Sequence, residues 1–382
     1  MRLRDVDIHI YKIDDNGTFE GLGEINKFTS LMWPDKFSGY TTFELNAPVT
    51  PENKRLIKKG HVIWCGGDNA CMIEVITYDS NQDGEKFFKV RGRTLEMILT
   101  TRIIWGTYTC RNKIASTAMY EIVNSNCVNP ANIKRKIPFL ECAQDERVGK
   151  SISYQKTGGE VYSALEAISS DSELGFDVIF KPKEKKLIFK VTEGVDRTLM
   201  LAREGSDLVV FSTDLEDILT SSYYTNNQDL KNVAYIAGED TGVERKSATA
   251  GSPESKGLAR RELYVDAREL QAEVLNDDGT TTSISEEEYT KMLLTKGDEK
   301  LSECMEIESF EAEMRVVGDI QYVYGKDYFK GDKVLIQDTE LGVQIIAKVT
   351  EVSENFDDEY ELLITFGYTY PTLIQKIKRQ IL

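Results

Sequence analysis

The feature that most constrains the fold is a run of alternating apolar residues between Tyr328 and Phe356. Its apolar positions recur with period two, at Val334, Ile336, Val343, Ile345, Ala347, Val349 and Val352. This period is typical of strands with one buried face and one solvated face. Because turn residues precede the first strand and occupy 338–342, the run predicts a β-hairpin at the edge of a barrel or a sandwich.

Length and charge limit the classes of function. The 382 residues suffice for two or three domains with large cores. A net charge of −17 argues against tight binding of DNA or RNA, although a duct through which DNA slides without sticking would also be acidic. No apolar stretch approaches the roughly 20 residues that span a bilayer, and the start lacks the pattern of a signal peptide. We therefore expect synthesis and folding in the cytoplasm and no membrane insertion.

The six cysteines show no repeating spacing. They are Cys65, Cys71, Cys110, Cys127, Cys142 and Cys304. Scattered cysteines of this kind are typical of buried thiols in a reducing compartment. We expect them to be reduced and structural.

Residues 1–93 are predicted to form a first β-barrel-like domain. Val6, Ile8 and Ile10 alternate up to a turn at 14–17. Further strand candidates are 27–33, 40–45, 61–65, 70–78 and 86–91. Short strands at close intervals favour a barrel or a sandwich.

Helical periodicity after Arg93 predicts a small α/β domain at 94–172. A short helical turn is expected at 94–99 and a helix at 113–124, where Ile114, Ala118 and Ile122 share one face. A second helix is expected at about 159–169.

Alternation from Leu174 onward predicts a second β-barrel-like domain in two parts, 173–265 and 306–370. A hairpin is expected around 181–186, with further strands at 208–211 and 231–237. The polar segment 239–258 reads as a mobile loop.

A helical insert is predicted at 266–305, between the two parts of the second β domain. Ser285 and Glu288 match a capping box at the start of its helix. At the end of the chain, 371–382 predicts an amphipathic helix that begins with a proline. The fold class is therefore mainly β with α+β insertions, in which two barrel-like domains alternate with two smaller α/β domains.

Three motifs resemble catalytic or metal-binding patterns. Residues 79–84 match the first half of an EF-hand loop, but Val90 stands where a bidentate glutamate is required, so a hairpin tip is predicted. Ser153-Tyr-Gln-Lys156 runs into Thr157-Gly158, yet one lysine would have to serve two motifs of penicillin-recognising enzymes. His61, Cys65 and Cys71 lack a fourth zinc ligand and are better explained by a hairpin turn.

The remaining residues favour no catalytic centre. With His9 and His61 as the two histidines, zinc and cysteine peptidases of the usual kinds are disfavoured. A glycosidase that uses two carboxylates stays open, because 64 acidic residues offer many pairs. We predict that no residue is catalytic, binds a cofactor or binds a metal.

A basic cluster lies in and around the polar loop. Its members are Arg245, Lys246, Lys256, Arg260 and Arg261. The cluster is either a solvated loop, which is the favoured interpretation, or a docking patch for an acidic partner.

Several segments, taken in order, resemble the tail-hub proteins of long non-contractile-tailed bacteriophages and prophages, a siphovirus family akin to the baseplate hub of contractile tails. These segments are 28–33, 40–45, 135–140, 193–198, 231–239, 257–268 and the hairpin at 328–356. They extend over about residues 28 to 366, and none of them is a catalytic motif.

The resemblance implies a structural protein that is not an enzyme and carries no cofactor. Such hubs form a trimeric ring that adapts the tail tube to the tail tip, with DNA passing through the centre without specific binding. The implied partners are further copies of the chain, a distal tail or tube protein above and a tip or fibre protein below. The implied location is the virion tail tip, after assembly in the host cytoplasm.

One departure concerns the end of the chain. Many relatives carry a further region for cell-wall digestion or receptor contact, whereas this sequence stops at Leu382. We expect a separate protein to supply those functions, with the predicted helix at 371–382 as its attachment point.

Two alternatives stay open: a muralytic enzyme of the tail, and a tail protein that binds cell-surface carbohydrate. The second needs aromatic stacking platforms, but Trp33, Trp64 and Trp105 all lie in predicted core strands.

If the hub prediction holds, the hairpin at 328–356 completes a barrel that begins near Leu174. Its solvated face would then lie at a subunit interface or along the lumen. That face carries Lys333, Gln337, Gln344, Lys348 and Thr350.

Overall fold

The computed structural model describes residues 6–14, 17–80, 84–198, 208–212, 218–239, 245–275, 281–305, 307–314, 321–338, 343–357 and 360–367. The predicted helix at 371–382 lies outside these residues, as does part of the predicted turn at 14–17.

The described part of the chain is mainly β. Its strands are β1 Ile8–Ile13, β2 Phe19–Ile25, β3 Ser30–Lys36, β4 Thr42–Pro48, β5 His61–Trp64, β6 Ala70–Ser80, β7 Lys86–Thr94, β8 Thr107–Ile114, β9 Leu140–Cys142, β10 Ser151–Thr157, β11 Gly175–Lys181, β12 Lys186–Thr192, β13 Val210–Ser212, β14 Ile218–Asn226, β15 Val233–Ala237, β16 Ser247–Gly251, β17 Glu262–Asp266, β18 Glu273–Leu275, β19 Thr281–Ser283, β20 Ile307–Met314, β21 Lys333–Asp338, β22 Val343–Phe356 and β23 Tyr360–Gly367. The α-helices are α1 Pro51–Leu56, α2 Ala115–Val123, α3 Val161–Ser172 and α4 Glu286–Ser302. Short 3-10 helices lie at Leu95–Thr101, Ile133–Arg135 and Gly257–Ala259, and a π-helical turn at Asn124–Val128 follows α2.

One large sheet joins the two ends of the chain. Its path runs β14-β20-β23-β22-β3-β4-β7-β6-β5-β1-β2, and β21 and β13 extend it from β22. Within the described residues this path stays open, so the barrel closure expected for both β regions is not seen. The mainly β character of the prediction is confirmed.

The ladder between β3 and β22 holds the two halves of the sheet together. Its antiparallel register pairs Leu31 with Phe356 and Asp35 with Val352. Phe356 packs in the core of the first β region, which contains β1 to β7. Val352 packs in the core of the second β region, which contains β13, β14 and β20 to β23. Strand β22 therefore serves two cores at once.

The predicted hairpin at 328–356 is present as β21 and β22. The two strands are antiparallel, with Val334 opposite Ala347 and Ile336 opposite Ile345. Val334, Ile336 and Val349 are fully buried, as their period-two spacing predicts.

The middle unit consists of α2, α3 and a small sheet formed by β9, β11 and β12. Strand β12 pairs in parallel with β9 and antiparallel with β11, and α2 and α3 cover this small sheet. Phe176 and Phe189 lie in the same core as the buried faces of both helices. The hairpin β11–β12, which the sequence assigns to the second β domain, thus packs with the α/β unit.

The large sheet is buried on both faces where its strands from the first β region meet the middle unit. In β5, Val62 packs toward the core of the middle unit and the adjacent Ile63 toward the core of the first β region. Phe19 stacks on Phe180 of β11 with ring centroids 5.5 Å apart. Because neighbouring strand residues point to opposite faces, one strand can serve both cores.

A fourth unit is formed by a three-stranded sheet and α4. The sheet has the order β16-β15-β17, and its buried residues Ala234, Ile236 and Ala250 pack with Tyr289 and Leu293 of α4. The capping box at Ser285 is confirmed. The loop predicted at 239–258 is wrong for Ser247–Gly251, which form β16 because they pair with β15.

Helix α1 at Pro51–Leu56 was missed by the sequence analysis. Its signals are local: Thr50 accepts a hydrogen bond from the Asn53 amide, and a proline occupies the first turn. The division of the chain into five segments stays a prediction.

Candidate functional site: a buried ionic junction

The EF-hand-like segment follows the prediction of a hairpin. Strands β6 and β7 flank it and pair antiparallel, while 81–83 at its centre lie outside the described residues. Among the described residues, no group of three or more His, Cys, Asp and Glu side chains is arranged to hold a metal ion.

The other two motifs are also parts of strands and turns. Ser153 and Lys156 lie on β10, where residues three apart point to opposite faces of the sheet. His61 Nδ1 is 2.7 Å from the Leu56 carbonyl oxygen. Burial raises the pKa of the Cys65 and Cys71 thiols well above their ordinary value, so neither is a reactive thiolate. All six cysteines are free, as predicted.

The basic cluster is tied to its own sheet. Arg245 donates to Asp266 Oδ1 at 2.8 Å and to the Tyr264 hydroxyl at 3.0 Å. Arg260 donates to Glu262 Oε1 at 2.6 Å, and Arg261 donates to the Asn227 carbonyl. These bonds use the guanidinium groups to hold the loop, which weakens the docking-patch alternative.

The prediction that all three tryptophans lie in core strands is wrong for one of them. Trp33 is buried and Trp64 is half-buried, but Trp105 is 72% exposed. Trp105 lies in the connection between the first 3-10 helix and β8 and not in a strand.

The solvated face of the β21–β22 hairpin meets another part of the same chain. Lys333 and Lys348 lie 2.9 Å and 3.5 Å from Glu173 Oε2, at the end of α3. Thr350 donates to the Thr365 carbonyl within the large sheet. At least part of this face is therefore occupied within the chain, where it touches the middle unit.

The most distinctive polar site lies beside this contact, where the first β region, the middle unit and the second β region meet. Lys330 Nζ lies 2.5 Å from Asp35 Oδ1 of β3 and 2.6 Å from Asp177 Oδ1 of β11. It also donates to the Lys36 carbonyl at 3.3 Å. The side chains of Lys330 and Asp177 are 19% and 17% exposed, so one largely buried cation bridges two carboxylates.

The electrostatics of these groups follow from burial and mutual contact. Burial alone would lower the pKa of Lys330, but the attraction of Asp177 and Asp35 outweighs it and raises the pKa well above its ordinary value. Burial, with a smaller contribution from Asp35, raises the pKa of Asp177. Lys330 is therefore charged at neutral pH.

A third carboxyl group extends the cluster. Glu96 is buried in the first 3-10 helix, and its Oε1 accepts a hydrogen bond of 2.8 Å from the Val178 amide. Burial, and next the charge of Asp177, raise the pKa of Glu96 to about 7. Near neutral pH this carboxyl group is partly protonated.

A second ion pair, which is buried, involves Asp332, two residues after Lys330. Arg197 Nε donates to Asp332 Oδ2 at 2.5 Å, with side chains 10% and 3% exposed. Asp332 also accepts hydrogen bonds of 2.9 Å from the amides of Val195 and Phe329. Replacement of Asp332 would be costly, because three donors around its carboxylate would each lose a partner away from water.

Glycines allow the backbones at this junction to approach closely. A Cβ on Gly194 would lie 1.7 Å from the Gly331 carbonyl oxygen. Gly331 itself has a φ of +90°, and a Cβ there would lie 2.2 Å from the Phe37 ring. A Cβ on Gly175 would lie 2.5 Å from the same ring.

We call the set Asp35, Glu96, Asp177, Arg197, Lys330 and Asp332 the ionic junction. Its carboxylates are bound by cations or backbone amides and are largely shielded from solvent, which suits a structural role rather than acid or base catalysis. These residues were not predicted from the sequence. The available signals were the turn Lys330-Gly331-Asp332 and the segment 193–198, but neither indicates its partners.

Among the described residues, no helix is both long enough and apolar enough to span a bilayer.

Comparison with known proteins places the chain in a viral context. The family model described as Siphovirus ReqiPepy6 Gp37-like protein matches residues 7–368. The comparison with curated proteins found no match.

Two solved structures share the fold over nearly their whole length. The tail protein from Neisseria meningitidis MC58 is 11% identical, with a TM-score of 0.53 over 96% of this chain and 97% of that chain. The 43 kDa tail protein of prophage MuSo2 from Shewanella oneidensis is 12% identical, with a TM-score of 0.51 over 94% and 97%. At these identities the likeness shows the fold alone.

Proposed function

Because the chain belongs to the Siphovirus ReqiPepy6 Gp37-like protein family, as the sequence resemblance to siphovirus proteins indicated, we propose that it is a structural tail-hub protein of a phage or prophage. In this proposal it forms a trimeric ring that adapts the tail tube to the tail tip around a central DNA channel. The observation that carries the proposal is the family match over residues 7–368. The fold likeness to two proteins described as tail proteins supports it.

The ionic junction suits such a role. In the proposed adaptor role, the domains would keep their relative positions between the tube and the tip. Lys330, Arg197 and the β3–β22 ladder connect three cores through charged hydrogen bonds and backbone pairing. Close packing of this kind resists deformation.

We extend the proposal to the domain plan. The two β regions would be tube-like domains that alternate with the middle unit and the α4 unit, and neighbouring chains would complete their open sheets. The partners would be further copies of the chain, a tube protein above and a tip or fibre protein below. The location would be the virion tail tip after assembly in the host cytoplasm.

The proposed role needs no catalysis. Lys330 bridges the partly buried carboxylates of Asp35 and Asp177, which leaves neither residue free to act as the acid that protonates a glycosidic oxygen. Incubation of the purified protein with Gram-positive peptidoglycan tests this directly. We expect no released sugar or peptide fragments, and their appearance would favour the muralytic alternative.

Light scattering tests the assembly. A trimer of this 43.3 kDa chain has a mass of about 130 kDa, and this is the expected value for the purified protein. A mass that stays near that of one chain at all concentrations would contradict the proposed ring.

A further inference from the structure

An exposed apolar surface lies on the middle unit. Trp105, Ile133 and Ile103 are 72%, 71% and 44% exposed. Basic residues surround them, and the whole set, which we call the Trp105 platform, is Arg102, Ile103, Trp105, Ile133, Lys134, Arg135 and Lys136. Large exposed apolar side chains that lie together mark interaction surfaces more often than single ones do.

The platform is held in place by hydrogen bonds. The Trp105 amide donates to Asn126 Oδ1 at 3.0 Å. Arg135 Nη2 donates to the Ile103 carbonyl at 2.5 Å, and the guanidinium carbon lies 5.0 Å from the centre of the Trp105 ring. Arg102 Nε donates to the Arg135 carbonyl at 2.6 Å. The indole is thus presented to solvent by a fixed backbone and a stacked cation.

The charge around the platform is opposite to that of the chain. Residues 101–140 contain six basic residues and one acidic residue, Glu121, which pairs with Lys113 at 2.6 Å. Since the whole chain carries −17 and this segment +5, the other residues carry −22. Within the described residues, no carboxylate lies within 4.0 Å of the charged groups of Arg102, Lys134, Arg135 or Lys136. The exposed ammonium groups of Lys134 and Lys136 are therefore available to an acidic surface from outside, whereas Arg102 and Arg135 donate to backbone carbonyls and hold the platform together.

We propose that the Trp105 platform docks on an acidic surface of a second copy of this chain. Tryptophan and arginine are the residues most enriched among those that dominate binding energy at protein interfaces. The strongly acidic remainder of an identical chain supplies the complementary charge. This inference rests on the proposed function, because it names the surface through which the ring would form.

The charge also fixes the type of symmetry. Two platforms facing each other across a two-fold axis would bring like charges together, which is unfavourable. The contact must then be heterologous, with the platform of one copy on a different surface of the next. Heterologous contacts close into rings when the rotation permits, and this agrees with the proposed trimer.

A nucleic acid would also attract these cations, but the apolar part of the platform favours a protein. Ile103 and Ile133 are aliphatic, so they can pack against apolar side chains but cannot stack on bases as aromatic residues do. The net charge of the chain opposes nucleic acid as well.

Sedimentation velocity over a concentration series tests the inference on the full chain. The test variants are Trp105→Ala and the pair Lys134→Glu with Lys136→Glu. The matched controls are Tyr235→Ala, which removes an exposed aromatic side chain outside the platform, and Lys183→Glu, which reverses an exposed charge at the β11–β12 turn. Near-ultraviolet circular dichroism and urea unfolding check that each variant folds.

We expect the test variants to raise the dissociation constant of the oligomer about tenfold or more, and the controls to leave it within about twofold. Association of the wild type should also weaken between about 0.05 M and about 0.5 M salt. The charge-reversed pair should lose most of this salt dependence.

Three outcomes would overturn the inference. If the wild type forms an oligomer that the folded test variants leave unchanged, the platform is not the interface, while the proposed ring stands. If the wild type binds duplex DNA through Trp105 and its oligomer is unaffected by the variants, the partner is a nucleic acid. If the wild type is monomeric at every concentration, the proposed ring fails together with the inference.

Discussion

The ammonium group of Lys330 neutralises two carboxylates, Asp35 of the first β region and Asp177 of the middle unit. Replacement by methionine keeps the length of the side chain and removes the charge. The two partly buried aspartates would then lose their counter-ion, so we expect Lys330→Met to lower the free energy of unfolding by about 3–5 kcal/mol. Chemical denaturation measures this change.

Lys150→Met is the matched control for Lys330→Met. Lys150 lies 2.8 Å from Asp171, but its side chain is 55% exposed, so water screens the pair and the expected loss is about 1 kcal/mol or less. Adding Asp177→Asn to Lys330→Met should restore part of the lost stability. Equal losses for the two lysine variants would show that burial of the Lys330 pair contributes little.

The carboxyl group of Glu96 makes the junction sensitive to pH. Because its pKa is raised to about 7 in the folded state, the folded protein binds this proton more tightly than the unfolded chain does. The contribution of Glu96 to stability therefore falls as the pH rises from 4.5, its ordinary value, to about 7.

Glu96→Gln removes this charge and keeps an oxygen for the Val178 amide. We expect the variant to be more stable than the wild type above pH 7, by an amount on the order of 3 kcal/mol, and nearly equal to it at about pH 4.5. Urea unfolding across this pH range measures the difference. Glu20→Gln, which changes an exposed side chain of β2, should have little effect at either pH. A gap between wild type and Glu96→Gln that does not grow with pH would contradict this account of the cluster.

At the scale of elements, the backbone around Gly194 lies against the turn that precedes β21. The Lys333 amide donates to the Val195 carbonyl at 2.9 Å, and the Arg197 amide donates to the Lys333 carbonyl at 2.8 Å. A methyl group on Gly194 would meet the Gly331 carbonyl, which cannot move without breaking this pairing. We expect Gly194→Ala to cost about 1–3 kcal/mol or more in thermal or chemical unfolding.

Gly21→Ala is the control for Gly194→Ala. Gly21 lies on β2, and a Cβ there would lie 3.5 Å from the Tyr11 ring, an ordinary contact distance. Its expected effect is within about 0.5 kcal/mol. If both substitutions proved equally mild, the close approach at Gly194 would not be needed for stability.

Individual strands could be predicted from the sequence, but their partners could not. Alternation marks β6, β7, β21 and β22 because each has one buried face. The pairing of β3 with β22 joins residues more than 300 positions apart, and no local pattern specifies it. Likewise the hairpin β11–β12 reads as a generic strand pair, and only its contacts with α2 and α3 place it in the middle unit.

The ionic junction could not be predicted for a related reason. Lys330, Gly331 and Asp332 read as turn residues, and a turn is what the backbone forms there. Whether a charged turn residue is solvated or buried depends on what the rest of the chain packs over it. Trp105 shows the converse case, an apolar residue that is exposed. The apolar run of Ile103, Ile104 and Trp105 resembles a core strand, but of these three residues Ile104 alone is buried.

At the scale of the whole molecule, an open sheet and a basic surface on an acidic chain both support the proposed association. The path of the large sheet ends at β2 and β14 within the described residues. Exposed sheet edges are available for pairing with another chain. The Trp105 platform offers a second contact that does not involve backbone pairing, and the two together would fix the orientation of neighbouring copies.

Electron microscopy of the purified full chain tests the central claim most directly. The proposed hub predicts averaged images with three-fold symmetry and a central hole wide enough for duplex DNA. Images of single 43.3 kDa chains, or of compact oligomers without a central hole, would contradict the account.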